Sequence, residues 1–190
     1  SALAMREIQE AVDIPVTGVI EPVVSAAKQR HPDADVLVLA TSATVQSHAY
    51  QLHCDALGLH ATEKACPLLV PLVEEGWIDH SVTREVLSIY LKEALVRCAP
   101  AAVLLGCTHY PLIAPGIETA LRELGSQAEV IDSANATALA IERALRRSRP
   151  TSTGPSSFQC FVTDSVEKFE RLGSRFLGQA VEGVQLVDLG

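Results

Sequence analysis

Val103-Leu104-Leu105-Gly106-Cys107-Thr108-His109-Tyr110-Pro111 runs from an apolar segment through a glycine to a thiol, a hydroxyl and an imidazole in succession. The apolar run closed by glycine predicts a buried strand, and Pro111 suits the first turn of a helix through Leu112, Ile113 and Leu121. Cys107 then occupies a strand-to-helix turn. In an open α/β sheet such turns stand at the carboxyl ends of the strands, where ligands bind, and the following helix offers unpaired N–H groups to an anion. Those amides would favour the Cys107 thiolate, the form that accepts a proton, over a free thiol with a pKa of about 8.5. A lone strand-end cysteine is ordinarily a small core hydrophobe. Gly106, Thr108 and His109 crowded beside it make a poor core corner and favour a reactive thiol.

Strand and helix patterns alternate on both sides of this turn, the signature of a parallel α/β sheet. Residues 14–20 read as a strand interrupted by Pro15 and Gly18, with a helix opening at Pro22. Val36-Leu37-Val38-Leu39-Ala40 is a continuous apolar run, which predicts a central strand covered on both faces. Thr41-Ser42-Ala43-Thr44 turns into a helix running to about Leu57 and ended by Gly58. Residues 79–98 form the longest helical pattern, capped by Asp79 or Ser81, with Pro100 beyond its end. A short strand through Val130 and Ile131 and a helix over 135–147 follow. Residues 148–157, rich in Ser, Thr, Pro and Arg, read as a linker or mobile loop. The tail reads as a strand at 158–163, a helix from about Ser165 capped by Asp164, and a closing strand at 184–187.

The chain has 190 residues, of which 48% are hydrophobic, enough for one domain or a little more. A formal charge of −8 argues against nucleic acid or an anionic membrane surface as partner and leaves a small molecule. The five cysteines, at 54, 66, 98, 107 and 160, have no paired close spacing and suit free thiols in a reducing, cytoplasmic compartment. No apolar stretch reaches the length of a membrane span. His48, His53, Cys54, His60 and Cys66 lack the spacing of zinc ligands, so no metal site is expected.

Three stretches carry a resemblance. LGCTHYP (105–111) looks like the second cysteine motif of the cofactor-independent glutamate racemases of the aspartate/glutamate racemase superfamily. Ala40, Thr41, Thr44, Ser47 and Tyr50 match that family's AT-x-x-T-x-x-S-x-x-Y stretch, and Cys66-Pro67 through Gly76 matches its CP-x-x-VPLVE-x-G segment. Ser1 would match the last residue of the family's first cysteine motif, ACNTAS. The resemblance then implies that the first catalytic cysteine and half of one domain precede this chain, and that the chain by itself is inactive.

The fold expected is α/β: a parallel-sheet, three-layer, Rossmann- or flavodoxin-like domain of the two-domain racemase type, with an incomplete second domain. Residues 19–132 would be the complete domain carrying Cys107, and 1–18 with 133–190 the remnant of the other. The resemblance implies interconversion of L- and D-glutamate by two thiols on opposite faces of the α-carbon, without a cofactor, supplying D-glutamate for bacterial peptidoglycan. It assigns catalysis to Cys107, His109 and Glu74, and substrate binding to Thr108, His109 and Thr44. By residue type alone, Glu74 and Glu75 read as a solvated helix end, and Thr41 and Thr44 serve equally as helix caps. A homodimer is expected. Two other readings stay open: a carboxylate-binding fragment without chemistry, and a racemase acting on aspartate or another acidic amino acid.

Overall fold

The computed structural model describes residues 4–148 and 158–189, which fall into two compact units, 1–149 and 150–190. The first is built on four parallel strands: β1 (Asp35–Ala40), β2 (His60–Ala65), β3 (Ala102–Gly106) and β4 (Glu129–Asp132), in the order β2-β1-β3-β4. β1 and β3 are the interior strands. Each interior strand buries successive residues on opposite faces, as a period of two requires. Val36, Val38, Ala102, Leu104 and Ile131 enter one core with Val23, Val24 and Tyr50. Leu37, Leu39, Val103 and Leu105 enter the other with Leu87, Leu91 and Ile117. Fully burying such a side chain stabilises by about 1.5–3 kcal/mol, so the two apolar runs hold the unit together.

The helices that supply those cores cover both faces of the sheet and make the three layers expected. α2 (Ile20–Arg30), the α3 (Ser42–Gln46) and α4 (Ala49–Ala56) pair, and α8 (Ser133–Ser148) lie on one side. α5 (Leu69–Glu74), α6 (Ser81–Leu95) and α7 (Ala114–Glu123) lie on the other. Both strand-end positions expected to matter, Ala40 and Gly106, are register partners, and Ala65 of β2 pairs with Ala40 on the other side. Thr41, Cys66 and Cys107 are therefore the first residues beyond three adjacent strands. The order 2-1-3-4 reverses between β1 and β3, the place where open sheets bind ligands.

Several elements depart from the sequence reading. Residues 14–18 form no strand. The Gln9 side chain takes both the Ile14 carbonyl (3.3 Å) and the Val16 N–H (3.0 Å), two groups a ladder would need. α1 (Met5–Ala11) precedes this segment, and α2 starts at Ile20 rather than Pro22. The helix expected from Ser42 to Leu57 is two helices, broken at His48, whose φ is 52°. There the Ser47 hydroxyl donates to the Thr44 carbonyl at 2.6 Å and accepts from the Ala49 N–H at 3.3 Å. β2, with its polar sequence HATEKA, was not evident as a strand. α6 is capped by neither Asp79 nor Ser81 but by His80, whose Nδ1 accepts from the Val82 N–H at 3.2 Å. Asp79 pairs instead with Arg84. The turn after Pro111 is a 3-10 segment, Tyr110–Ile113, and the α-helix proper begins at Ala114.

Residues 133–148 form α8, begun by Asp132, whose carboxylate accepts from the N–H groups of Ala134 (2.8 Å) and Asn135 (3.4 Å). Ala136 packs onto the sheet core. Of the loop expected at 148–157, Ser148 is the last residue of α8 instead, and the rest lies outside the described residues, as does Ser1. The second unit contains β5 (Phe161–Val162) and β6 (Gln185–Leu186), a parallel pair shorter than the strands expected, and α9 (Val166–Leu177). α9 is capped by Ser165 rather than Asp164, its hydroxyl accepting from the Lys168 N–H at 3.1 Å.

Candidate functional site

The Cys107 turn, the start of α3 and the end of α5 converge at the carboxyl edge of the sheet. Gly106 makes the close approach possible. A Cβ there would lie 3.0 Å from the Leu39 carbonyl oxygen, 3.0 Å from the Ala40 Cβ and 3.1 Å from Tyr50 Cε2. With no side chain at Gly106, β3 sits tight against β1 and the Tyr50 ring, and Cys107 emerges beside both.

His109 lies between two of the residues expected with it. Its Nδ1 is 3.8 Å from Cys107 Sγ and 3.4 Å from Thr108 Oγ1, and its Nε2 is 3.3 Å from Glu74 Oε1. Glu74 reaches it from the last residue of α5, on a different element. A carboxylate accepts only, so its contact favours a proton on Nε2 and leaves the Nδ1 lone pair facing the thiol. The three groups form a chain along which a proton can pass from Cys107 to an imidazole held by Glu74, the arrangement that activates a nucleophile or base. Imidazole and carboxylate are both mostly covered, at 22% and 29% side-chain exposure, which strengthens their interaction over that of a surface pair.

The Cys107 thiol itself is raised above its ordinary value. Burial is the largest cause, opposed by the N–H groups of His109 and Tyr110 and by the Thr108 hydroxyl. The turn amides act in the direction the sequence led us to expect, but desolvation outweighs them. Cys107 is thus a thiol that needs a neighbouring base, and Nδ1 of His109 is placed to be one.

Thr41 and Thr44 are tied together at the start of α3. Thr41 caps α3, its hydroxyl accepting from the Thr44 N–H at 3.3 Å, and the two hydroxyls are 3.0 Å apart. Thr44 thereby stays at the end of β1, next to the strand that ends at Gly106. Two tyrosines that sequence reasoning left without a role frame the site. Tyr110, fully buried, donates from its hydroxyl to the Cys66 carbonyl at 3.0 Å, tying the Cys107 turn to the segment that leads into α5. Tyr50 is buried against Gly106, and its hydroxyl is pushed up by burial and by the nearby Cys107. An aromatic residue with a polar end, beside a strand terminus, was the available signal.

The remaining cysteines are free. Cys54 and Cys66 are fully buried, and burial pushes each thiol up to about 12. Among the described residues no cluster of three or more His, Cys, Asp or Glu side chains could hold a metal ion, and no helix is long and apolar enough to cross a membrane.

A thiol, an imidazole and a carboxylate at the switch point of a doubly covered parallel sheet define an acid–base site of the α/β class. The family model described as Asp/Glu/Hydantoin racemase matches residues 1–141, and the chain belongs to this family of isomerases. It is 43% identical to the glutamate racemase of Koribacter versatilis, over 100% of this chain and 73% of that relative. The glutamate racemase of Aquifex aeolicus is 37% identical over 96% of the chain and 67% of its own length. A glutamate racemase isoform from Bacillus anthracis superposes with a TM-score of 0.88 at 32% identity, over 99% of this chain and 70% of that one. The Francisella tularensis glutamate racemase, solved in complex with D-glutamate, gives 0.87 at 30% identity, with coverage of 99% and 70%.

Proposed function

We propose that the intact protein to which this chain belongs interconverts L- and D-glutamate by moving the α-proton, with Cys107 serving one face of the α-carbon, and that the 190-residue chain by itself is inactive. The observation that carries this reading is the Cys107–His109–Glu74 chain at the carboxyl edge of the sheet. Glutamate, rather than aspartate, is favoured because the relatives described above, a third or more identical over most of this chain, are named glutamate racemases.

The α-proton of an amino acid is weakly acidic, so its removal needs a close, desolvated base and donors aimed at the charge that develops on the carboxylate. His109 Nδ1 takes the Cys107 proton, and the thiolate takes the α-proton from one face. In the reverse direction the Cys107 thiol delivers a proton to that face and His109 restores it. Glu74 holds the imidazole in the tautomer this requires. Thr108, the turn amides and Thr44 receive the substrate carboxylate, with His109 beside them. Inversion needs a second acid–base group on the opposite face, which the family resemblance assigns to another cysteine. Cys54 and Cys66 are too buried for it. The domain reading goes with this: 19–132 as the complete domain bearing Cys107, and 1–18 with 133–190 as part of a second. A homodimer, a cytoplasmic site of action and a role in supplying D-glutamate to peptidoglycan belong to the same proposal.

Circular dichroism of glutamate incubated with the intact protein, without added cofactor, tests it. Racemisation is expected and should vanish in Cys107→Ala, along with solvent-deuterium exchange in the enantiomer whose α-proton faces Cys107. Near-parental turnover in Cys107→Ala would falsify the assignment.

A further inference from the structure

Among the described residues, Glu63 is the buried side chain with an unsatisfied polar atom: it is 6% exposed, and its Oε1 has no hydrogen-bond partner. It stands on β2, two residues before the strand end at Ala65. Its Oε2 meets His48 Nδ1 at 3.3 Å. Burial raises the Glu63 carboxyl, while His48 and the nearby Gln51 N–H draw it back. Cys54 of α4 is the other titratable group facing it. A polar side chain taken out of water and only half satisfied is costly, so its retention calls for a use.

His48 shows what that use is. It is the α3–α4 corner residue, largely exposed and in the left-handed region at φ 52°, a conformation uncommon outside glycine that histidine adopts more readily than most side chains. The corner joins two site elements. Thr44 lies in α3 just before it, and Tyr50, packed on Gly106 beside Cys107, lies just after it in α4. We infer that Glu63 and His48 are a positioning pair for the site, pinning the α3–α4 corner to β2 so that Thr44 and Tyr50 keep their places at the Cys107 turn. The pair touches no reacting atom. Its kinetic consequence rests on the racemase reading, whereas its structural consequence does not.

Glu63→Leu removes the anchor, Glu63→Gln keeps an oxygen that can bond to His48, and His48→Gly removes the anchor while suiting the corner's backbone. In the intact protein, Glu63→Leu and His48→Gly should raise the KM for glutamate about fivefold with kcat within about twofold, the scale of one lost hydrogen bond. Glu63→Gln should stay near the parent. Unchanged KM in both anchor-removing variants, or Glu63→Gln behaving like Glu63→Leu, overturns the inference. If the parent does not racemise at all, the functional reading fails separately, and amide hydrogen exchange over residues 44–50 decides. Faster exchange in Glu63→Leu and His48→Gly supports the pair; parental rates overturn it.

Discussion

Glu74 meets His109 on the nitrogen turned away from Cys107, with Oε1 3.3 Å from Nε2 while Nδ1 stands 3.8 Å from Sγ. The two contacts use opposite edges of one ring, so the carboxylate controls which nitrogen offers its lone pair to the thiol.

Glu74→Gln keeps the shape of the side chain but brings an N–H donor to Nε2. The amide favours the tautomer with its proton on Nδ1, where it can no longer receive one from Cys107. The kcat for glutamate racemisation should fall about a hundredfold, with KM shifted by less than about threefold, as expected for loss of acid–base assistance rather than of binding. Steady-state kinetics by circular dichroism on both enantiomers measure this. A kcat close to the parent's would leave the Glu74 contact with His109 a structural one, without a part in proton transfer.

Residues 36–40 were legible as a central strand because every residue is apolar and both faces are covered. β2 was not legible. Its polar Glu63 and Lys64 sit on an edge strand, Lys64 paired with Glu93 of α6 and Glu63 with His48, so tertiary partners hold what propensity would not. The break at His48 was hidden for a similar reason, since no glycine or proline marks it. At the site, Cys107 and His109 were readable from their turn. Glu74 entered only through family resemblance, because nothing in its local sequence distinguishes it from Glu75. Which ring nitrogen faces which partner depends on how α5 packs against the turn, and no spacing encodes that.

Gly106→Ala tests the closeness of β3 to β1. The added methyl would come to 3.0 Å from the Leu39 carbonyl oxygen and 3.1 Å from Tyr50, and the first of these is backbone of a central strand that cannot swing aside. Overpacking of this kind costs about 1–3 kcal/mol. Urea unfolding should show that loss as a lower midpoint with an unchanged slope, and activity should fall too, because Cys107 is the next residue. A variant as stable as the parent would mean that the two strands part at little cost at the edge where the site is built.

At the opposite end of the sheet, Glu129 opens β4 and binds the end of α2 twice, through His31 Nε2 at 2.8 Å and Arg30 Nη1 at 2.6 Å. The His31 hydrogen bond, followed by the Arg30 charge and hydrogen bond, holds the Glu129 carboxyl below the usual range against the opposing effect of burial. A carboxyl depressed by folding contributes stability above its unfolded pKa of about 4.3, and loses it as pH falls through the lower, folded value. The side chain is 42% exposed, so solvent screening reduces what the shift would otherwise suggest. Glu129→Gln should therefore cost no more than about 1 kcal/mol at pH 7. The deficit should shrink in high salt and close in strong acid, where the parent carboxyl is itself protonated. Urea unfolding of both proteins at neutral and acid pH measures the difference. A deficit that persisted unchanged in acid would assign the role of Glu129 to packing instead of charge.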